Sequence, residues 1–390
     1  MKSNYKPLGN YIQPVVGRNN DLGDLPLMGL SIQKKFIPSI ANIIGTDMST
    51  YRIIERNQFA YGPVTSRNGE KITIALFNDF DKALISQAYI PFEVKDSKEL
   101  DPEYLMMWFR RTEFDRYARF KSHGSAREIF GWDEMCDTLL PVPNIDKQKE
   151  IVNEYKTIEN RIDLNNQLIQ KLEETAQAIY KQWFVDFEFP HENGKPYKSN
   201  GGEMVWCKEL EKEIPFGWKI EPIGKLTEIK AGGDRPKVFS EIKTDICNIP
   251  IFSNGITEDG LYGYTNKANY PKHSITISAR GTIGFSVLRN ESFDAIVRLL
   301  VLIPKFKYYT IYLWQVVRKI EFDNSGSVQN QLTKPQISLI DIILADSKIL
   351  IKYDSVLTKV YQKQTFVIEQ NKKLGQLKHL LLSRLAKVEN

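Results

Sequence analysis

Apolar side chains recur in two stretches of the chain at alternating spacings of four and three residues. In the first stretch these positions are Ile151, Tyr155, Ile158, Ile162, Asn165, Ile169, Leu172, Ala176, Ile179 and Trp183. In the second they are Ile349, Tyr353, Val356, Val360, Lys363, Val367, Gln370, Leu374, Leu377 and Leu381. This spacing is typical of helices that pair along an apolar seam. It predicts two long helices of about 37 residues, each roughly 55 Å long at 1.5 Å per residue.

The two seams superimpose with one constant offset in residue number, and their amide side chains coincide: Asn165 in the first and Gln370 in the second. The two predicted helices, called stems below, have matching lengths and are expected to pack on each other. Antiparallel packing places the two amides near the middle of the pair. A buried amide in an apolar seam fixes the register of the helices at some cost in stability. We therefore assign Asn165 and Gln370 a register-setting role.

Shorter matches extend the repeat beyond the helices. In the same order along both halves, residues 5–10 parallel 220–225, Gly17 parallels Gly232, 66–69 parallel 278–281, and 124–125 parallel 326–327. Each match is weak alone, but their common order indicates two diverged copies of one unit. The chain is thus predicted to contain two copies of a unit, each made of a globular domain, called a head below, followed by a stem.

The heads have strand patterns rather than helical ones. Runs such as 71–77 and 274–278 alternate β-branched and other apolar residues, and turns containing Gly and Asn separate such runs. Each head also has one helical stretch, at 102–120 and 309–320. We predict an α+β protein in which two mixed α/β domains are separated by two long antiparallel coiled-coil helices, with a pseudo-twofold internal repeat. The predicted boundaries are 1–143 (first head), 144–186 (central helix), 187–217 (linker), 218–346 (second head) and 347–390 (C-terminal helix).

Composition narrows the function classes. The chain has an apolar content of 42%, a charged content of 26%, a net charge of +5 and a pI near 8.8, which permits a polyanionic partner without requiring one. It has no long apolar run typical of a membrane span, and no apolar signal core at its start. The three scattered cysteines favour a reducing cytoplasm, and the four histidines lack metal-ligand spacing. Phosphate-binding, zinc-protease and serine-hydrolase motifs are also absent, so we predict a binding protein rather than an enzyme.

Polar loops in both heads carry residue types that read DNA. Arg pairs with guanine, and Asn or Gln with adenine, in the major groove; small hydroxyl and amide side chains contact phosphates and bases. The candidates in the first head are Ser66, Arg67, Asn68, Lys71, Lys121, Ser122, Ser125 and Arg127. Those in the second head are Ser278, Arg280, Thr282, Ser325, Ser327, Gln329 and Asn330. The alternatives are ordinary β-turns at Gly69 and Gly281, and solvated loops elsewhere.

A cluster of arginines on the first head's predicted helix is ambiguous. Arg110, Arg111, Arg116 and Arg119 alternate with Glu113 and Asp115. Interleaved opposite charges are more often a salt-bridged solvent face than a DNA-binding face. We expect the former here.

The chain resembles the specificity (S) subunits of type I restriction–modification systems along almost its whole length. The marks of the resemblance are LEETAQAIYKQWFVDFEFP at 172–190, GGEMVW at 201–206, ISARGTIG at 277–284 and NKKLGQLKHLLLSRL at 371–385. The resemblance implies that each head is a target-recognition domain and that the chain has no catalysis of its own. It also implies two modification subunits that use S-adenosylmethionine to methylate adenine, and restriction subunits that use ATP and Mg²⁺.

The paired stems form a rod of roughly 55 Å, which covers about 16 base pairs of DNA. Heads at its two ends would therefore read two half-sites separated by an unread gap. Because the heads differ in sequence, the bipartite site is expected to be asymmetric. The alternative is a coiled-coil scaffold that binds proteins through both heads.

One departure from the family is the end of the second stem, which continues helix-like to Asn390 without the usual Pro-containing turn and Gly-containing tail.

Overall fold

The computed structural model describes residues 5–41, 44–66, 68–69, 71–124, 127–191, 194–322 and 331–388. It divides into two compact units. The first comprises Met1–Asn166 and Glu369–Asn390, and the second comprises Gln167–Ile368. Each unit contains one head and part of both long helices.

In its described residues, the first unit carries two four-stranded sheets and three short α-helices. Its strands are β1 (Tyr5–Pro7), β2 (Ile12–Pro14), β3 (Leu27–Leu30), β4 (Phe36–Pro38), β5 (Arg52–Glu55), β6 (Phe59–Tyr61), β7 (Ile74–Leu76), β8 (Lys82–Ile85), β9 (Ile90–Val94) and β10 (Leu139–Pro141). Its short helices are α1 (Pro102–Phe109), α2 (Thr112–Lys121) and α3 (Trp132–Cys136). The sheet orders are β2-β9-β6-β7 and β4-β3-β8-β5, with β3 and β8 parallel. The pair β1–β10 closes the head next to the long helices.

The second unit repeats this topology. Its strands are β11 (Met204–Cys207), β12 (Lys212–Pro215), β13 (Lys219–Pro222), β14 (Thr227–Ala231), β15 (Ile249–Phe252), β16 (Leu261–Thr265), β17 (Ser274–Ile277), β18 (Ser286–Arg289), β19 (Asp294–Ala295), β20 (Leu300–Pro304) and β21 (Asp341–Leu344). The sheet β14-β20-β17-β18 matches β2-β9-β6-β7 strand for strand, and β16-β15-β19 again contains one parallel pair, β15–β19. The pair β13–β21 takes the place of β1–β10. The predicted α+β repeat is therefore present in the strand order itself.

The two long helices are α4 (Ile145–Phe184) and α8 (Ser347–Arg384); α5 (Ile223–Leu226), α6 (Thr310–Val317) and α7 (Lys334–Ser338) lie in the second head. In the first unit Tyr155 of α4 shares a core with Leu382 of α8. In the second unit Trp183 of α4 packs on Tyr353 of α8, with ring centroids 5.6 Å apart. Late residues of one helix face early residues of the other, so the predicted antiparallel pairing is confirmed within each unit.

The first predicted seam is confirmed, and the second is partly wrong. Every predicted position on α4 is buried or half-buried. On α8, Val356 and Leu377 are 37% and 45% exposed, and Lys363 is also exposed. Their neighbours Leu357 and Tyr361 are buried instead. The buried face of α8 therefore departs from the predicted seam around Leu357 and Tyr361 and returns to it at Val367.

The expected continuous helix at 102–120 is also wrong, because it breaks into α1 and α2. Asp101 caps α1, its carboxylate accepting hydrogen bonds from the amides of Glu103 and Tyr104. Arg111 then adopts an extended conformation and begins α2. Its guanidinium lies 4.2 Å from the centroid of the Trp108 ring and is almost fully buried.

The second stem does not continue as a helix to Asn390, since α8 ends at Arg384 and a 3-10 turn follows at Leu385–Lys387. Leu385 is 1% exposed and packs into the core of the first head. The hydroxyl of Tyr5 donates to the carbonyl of Ala386 at 2.9 Å. The end of this helix is thus part of the first head.

Candidate nucleic-acid interface

In the first head, two of the predicted DNA-reading loops lie side by side. They are the β6–β7 loop, 62–73, and the α2–α3 loop, 122–131. The Thr65 hydroxyl donates to the Ser122 hydroxyl at 2.9 Å, and the Thr65 amide donates to the carbonyl of Glu128 at 3.0 Å. The Phe130 amide donates to the carbonyl of Pro63 at 2.8 Å. Two segments that are distant in sequence therefore form one polar surface.

The candidate residues on the β6–β7 loop differ in solvent exposure and in whether their side chains are already hydrogen-bonded within the loop. Ser66 and Lys71 are exposed. Asn68 is half-buried and donates its amide to the carbonyl of Val64 at 3.2 Å. Gly69 has φ +63, as the β-turn alternative expects. Arg67 lies outside the described residues.

On the α2–α3 side, Lys121 is half-exposed and Arg127 is exposed. Ser122 instead has an internal role, because its hydroxyl donates to the carbonyl of Ala118 at 2.7 Å and accepts from Thr65. Ser125 lies outside the described residues. Of the described candidates on this side, Lys121 and Arg127 have side chains that can reach a ligand.

A buried ion pair lies under this surface. Lys34 Nζ is 2.7 Å from the Asp115 carboxylate, and the two side chains are 6% and 10% exposed. The same carboxylate accepts the amide of Ile72, at the end of the β6–β7 loop, at 3.2 Å. Burial lowers the pKa of Lys34, and the charge of Asp115 opposes that shift. Nothing in the sequence around Lys34, a turn residue, indicated a buried charge.

The arginines of the first head are mostly ion-paired, but the expected solvent-exposed face is wrong in part, because Arg111 and Asp115 are buried. Arg110 lies 3.5 Å from Glu159, Arg111 lies 3.5 Å from Glu113, and Arg119 pairs with Glu128. The remaining one, Arg116, is exposed.

The second head brings the equivalent loops together. The Arg280 guanidinium donates to the Gln331 side chain at 2.8 Å, and the Leu332 amide donates to the carbonyl of Ala279 at 3.0 Å. Gly281 at the turn has φ +70. The β17–β18 loop therefore adjoins the segment that follows α6, as β6–β7 adjoins α2–α3.

The candidates of the second head also divide into exposed and internal residues. Arg280 and Thr282 are exposed. Ser278 is 1% exposed, and its hydroxyl donates to the carbonyl of Asn254 at 3.3 Å, so its role is internal. The candidates Ser325, Ser327, Gln329 and Asn330 lie outside the described residues.

Asn254 organises this region, although its local sequence, Ser-Asn-Gly at 253–255, by itself indicates only a turn. Its carbonyl oxygen Oδ1 accepts the amide of Ala279 at 2.7 Å. Its Nδ2 donates to the carbonyl of Val297 at 2.7 Å. One side chain thus ties the base of the β17–β18 loop to the β19–β20 turn.

Comparison with known proteins identifies the family of this chain. The family described as the type I restriction modification DNA specificity domain matches residues 2–174 and 215–378. The chain belongs to this family. Each matched segment contains one of the two heads.

Members of this specificity family align along the chain. The specificity subunit of the type I restriction enzyme HindI from Haemophilus influenzae is 22% identical over 91% of this chain and 91% of its own length. The MjaIX specificity subunit from Methanocaldococcus jannaschii is 25% identical over 73% of this chain and 68% of its own length. The crystal structure of a type I S subunit from M. genitalium covers 100% of this chain and 99% of its own, with TM-score 0.63 at 14% identity. It has the same fold.

Membership of a specificity family assigns the chain to DNA recognition and not to catalysis, as the sequence predicts. In the parts of the chain that the structure describes, no cluster of His, Cys, Asp and Glu is arranged to hold a metal ion. No helix there combines the length and hydrophobicity that a membrane span requires.

In this specificity-family chain, the register amides meet as predicted from the seams. Asn165 is 3% exposed, and its Nδ2 donates to Gln370 at 3.0 Å and to Asn371 at 2.8 Å. Asn371 in turn donates to Asn166 at 2.8 Å. A shift by one residue would break all three hydrogen bonds, so the cluster favours a single alignment of the helices.

Proposed function

We propose that this chain reads a bipartite, asymmetric DNA site, with one half-site bound by the polar loops of each head. The observation that carries the proposal is the repetition of one arrangement in a specificity-family fold. In both heads the loop that joins an inner strand to the edge strand of the four-stranded sheet (β6–β7, β17–β18) is hydrogen-bonded to residues that follow a short helix, α2 in the first head and α6 in the second. The two loops carry different side chains, including Lys71 in one head and Arg280 in the other, so two different half-sites are expected.

The long helices α4 and α8 supply the connection between the heads. We propose that they set the spacing between the half-sites and present surfaces to partner subunits. The expected partners are two modification subunits, which would use S-adenosylmethionine to methylate adenine, and restriction subunits, which would use ATP and Mg²⁺. Because the proposed ligand is chromosomal DNA, we expect the complex to act in the cytoplasm.

The alternative is a scaffold that binds only proteins. The dependence of binding affinity on salt concentration distinguishes the two functions. Neutralising six to ten phosphates makes DNA affinity fall by about a thousandfold or more between roughly 50 and 200 mM salt. Docking of a modification subunit through the stems should change far less over that range.

The test is binding of fluorescent duplex DNA by the purified complex of this chain with its neighbouring modification subunit, across that salt range. The modification subunit alone is the control for DNA binding that does not need the chain. We expect steeply salt-dependent binding that requires the chain, while the complex itself stays intact. An intact complex that binds no DNA at low salt would contradict the proposal and favour the scaffold.

A further inference from the structure

A turn of the second head adopts a backbone conformation that its sequence does not favour. The turn joins β19 to β20 and closes with a hydrogen bond from the Leu299 amide to the carbonyl of Ile296 at 3.1 Å. Its two central residues, Val297 and Arg298, have φ +54 and +57. This left-handed region suits glycine and asparagine, whereas a β-branched valine there is a genuine outlier. Such strain persists only where the surrounding structure enforces it, and it concentrates at functional sites.

The topology does not require this strain. The first head has the equivalent turn between β8 and β9, closed by a hydrogen bond from the Tyr89 amide to the carbonyl of Ser86 at 3.0 Å. Its central residues, Gln87 and Ala88, do not have positive φ. The same connection is therefore made without strain in one copy of the fold and with it in the other.

The strained turn is held from two sides. The amides of Val297 and Arg298 donate to the carbonyls of Gly233 and Gly232 at 3.0 and 3.1 Å. Gly232 cannot carry a side chain there, because a Cβ would lie 2.7 Å from the backbone of Ala295. On the other side, the carbonyl of Val297 accepts the Asn254 side chain. These contacts fix the direction in which both side chains leave the turn.

Both side chains point into solvent beside the candidate DNA loop. Val297 is 50% exposed, and Arg298 is also exposed. Within the described parts of the chain no carboxylate lies within ion-pair distance of Arg298. Asn254 links the turn to this loop, because its side chain hydrogen-bonds both the carbonyl of Val297 and the amide of Ala279, the residue before Arg280.

A second strained pair in this head makes a useful contrast. Glu258 and Asp259 also have positive φ, of 48 and 56, but their negative charges would repel phosphates. Of the two strained pairs, only the β19–β20 turn presents a free guanidinium next to an apolar side chain. Arginine forks onto guanine, and an apolar group contacts the methyl of thymine, in the major groove.

We propose that the β19–β20 turn is a further DNA-reading element of the second head, in which Arg298 contacts a base edge of the second half-site and Val297 packs beside it. This inference rests on the proposed DNA-reading function. It adds Arg298 to the specificity residues, next to Arg280.

The test uses long-read sequencing of methylated adenine in DNA from cells that express the chain with its modification subunit. In one variant, Arg298→Gly removes the guanidinium and suits the left-handed backbone. In a second, Arg298→Lys keeps the charge and loses the fork. For both, we expect one or more positions of the second half-site to become degenerate, with methylation of the original site reduced by about tenfold or more. The first half-site should stay unchanged.

Lys305→Ala, at the opposite end of β20, is the matched control for loss of an exposed positive charge, and it should leave the motif intact. Melting temperatures separate a recognition defect from misfolding; Arg298→Lys keeps the test valid if the glycine variant unfolds. An unchanged motif with either folded Arg298 variant would overturn the inference. If the unmodified chain itself gives no gapped motif, the proposed function fails and the inference falls with it.

Discussion

Replacing Asp115 by asparagine removes the counter-charge of Lys34 while keeping the size of the side chain. Lys34 is 6% exposed and lies 2.7 Å from the carboxylate, so Asp115→Asn leaves a buried, unpaired ammonium group. Removing one partner of a buried ion pair costs about 3 to 5 kcal/mol. For a unit of this size, that corresponds to a fall in melting temperature on the order of 10 °C.

The matched control is Glu55→Gln in the same head. Glu55 pairs with Lys82 at a similar distance, 2.8 Å, but the two side chains are 49% and 55% exposed. The same chemical change should there cost less than about 1 kcal/mol, because water already screens an exposed pair. Burial is therefore the variable that separates the two substitutions.

The assay is thermal unfolding of the full chain, completed by the double variant Lys34→Met with Asp115→Leu. Replacing both charges by apolar groups should recover much of the loss, although the Ile72 amide then lacks its acceptor at a cost of about 1 to 3 kcal/mol. Equal effects of Asp115→Asn and Glu55→Gln would refute the argument from burial. A double variant less stable than Asp115→Asn would refute the assignment of the cost to an unpaired charge.

Other predictions concern the seam, the second half-site and pH. Asn165→Leu with Gln370→Leu should stabilise the helices by about 1 to 3 kcal/mol, because apolar burial outweighs the lost hydrogen bonds, while loosening their register; a lower melting temperature would contradict this. Arg280→Ala should make the second half-site degenerate and leave the first intact, as read by methylation sequencing; equal loss at both would indicate misfolding. Because the pKa of Lys34 is lowered in the fold from 10.5, the unfolded chain binds more protons between the two values. The unfolding free energy of the wild type relative to Lys34→Met should therefore rise with pH up to about 10.5, and a flat difference in calorimetry at several pH values would contradict the shift.

The features that were predictable from the sequence are those with a regular period. Every position that the apolar spacing predicted on α4 is buried or half-buried, although the spacing missed the buried Val152, Tyr180 and Phe184. The coincidence of Asn165 with Gln370 identified the amide contact. Prediction was weaker on α8, where Leu357 and Tyr361 are buried and the predicted seam positions Val356 and Lys363 are exposed. Periodicity alone does not choose between two adjacent apolar stripes.

The features that were not predictable depend on contacts between distant residues. Arg111 is a good helix former, yet its stacking on Trp108 accompanies the break between α1 and α2. The polar loops of the first head were identified separately, but their union through Thr65 and Ser122 depends on the folded strand order. The left-handed Val297 contradicts its own preference, so no local rule finds it.

The central claim is that two different heads read two different half-sites. Its most direct test is long-read sequencing of adenine methylation in cells that express this chain with its neighbouring modification subunit, compared with cells that express the modification subunit alone. We predict a new motif that depends on the chain, with two unlike half-sites, an unread gap and methylated adenine on both strands. A continuous or palindromic motif, or a stable complex that leaves the DNA without new methylation, would contradict the account.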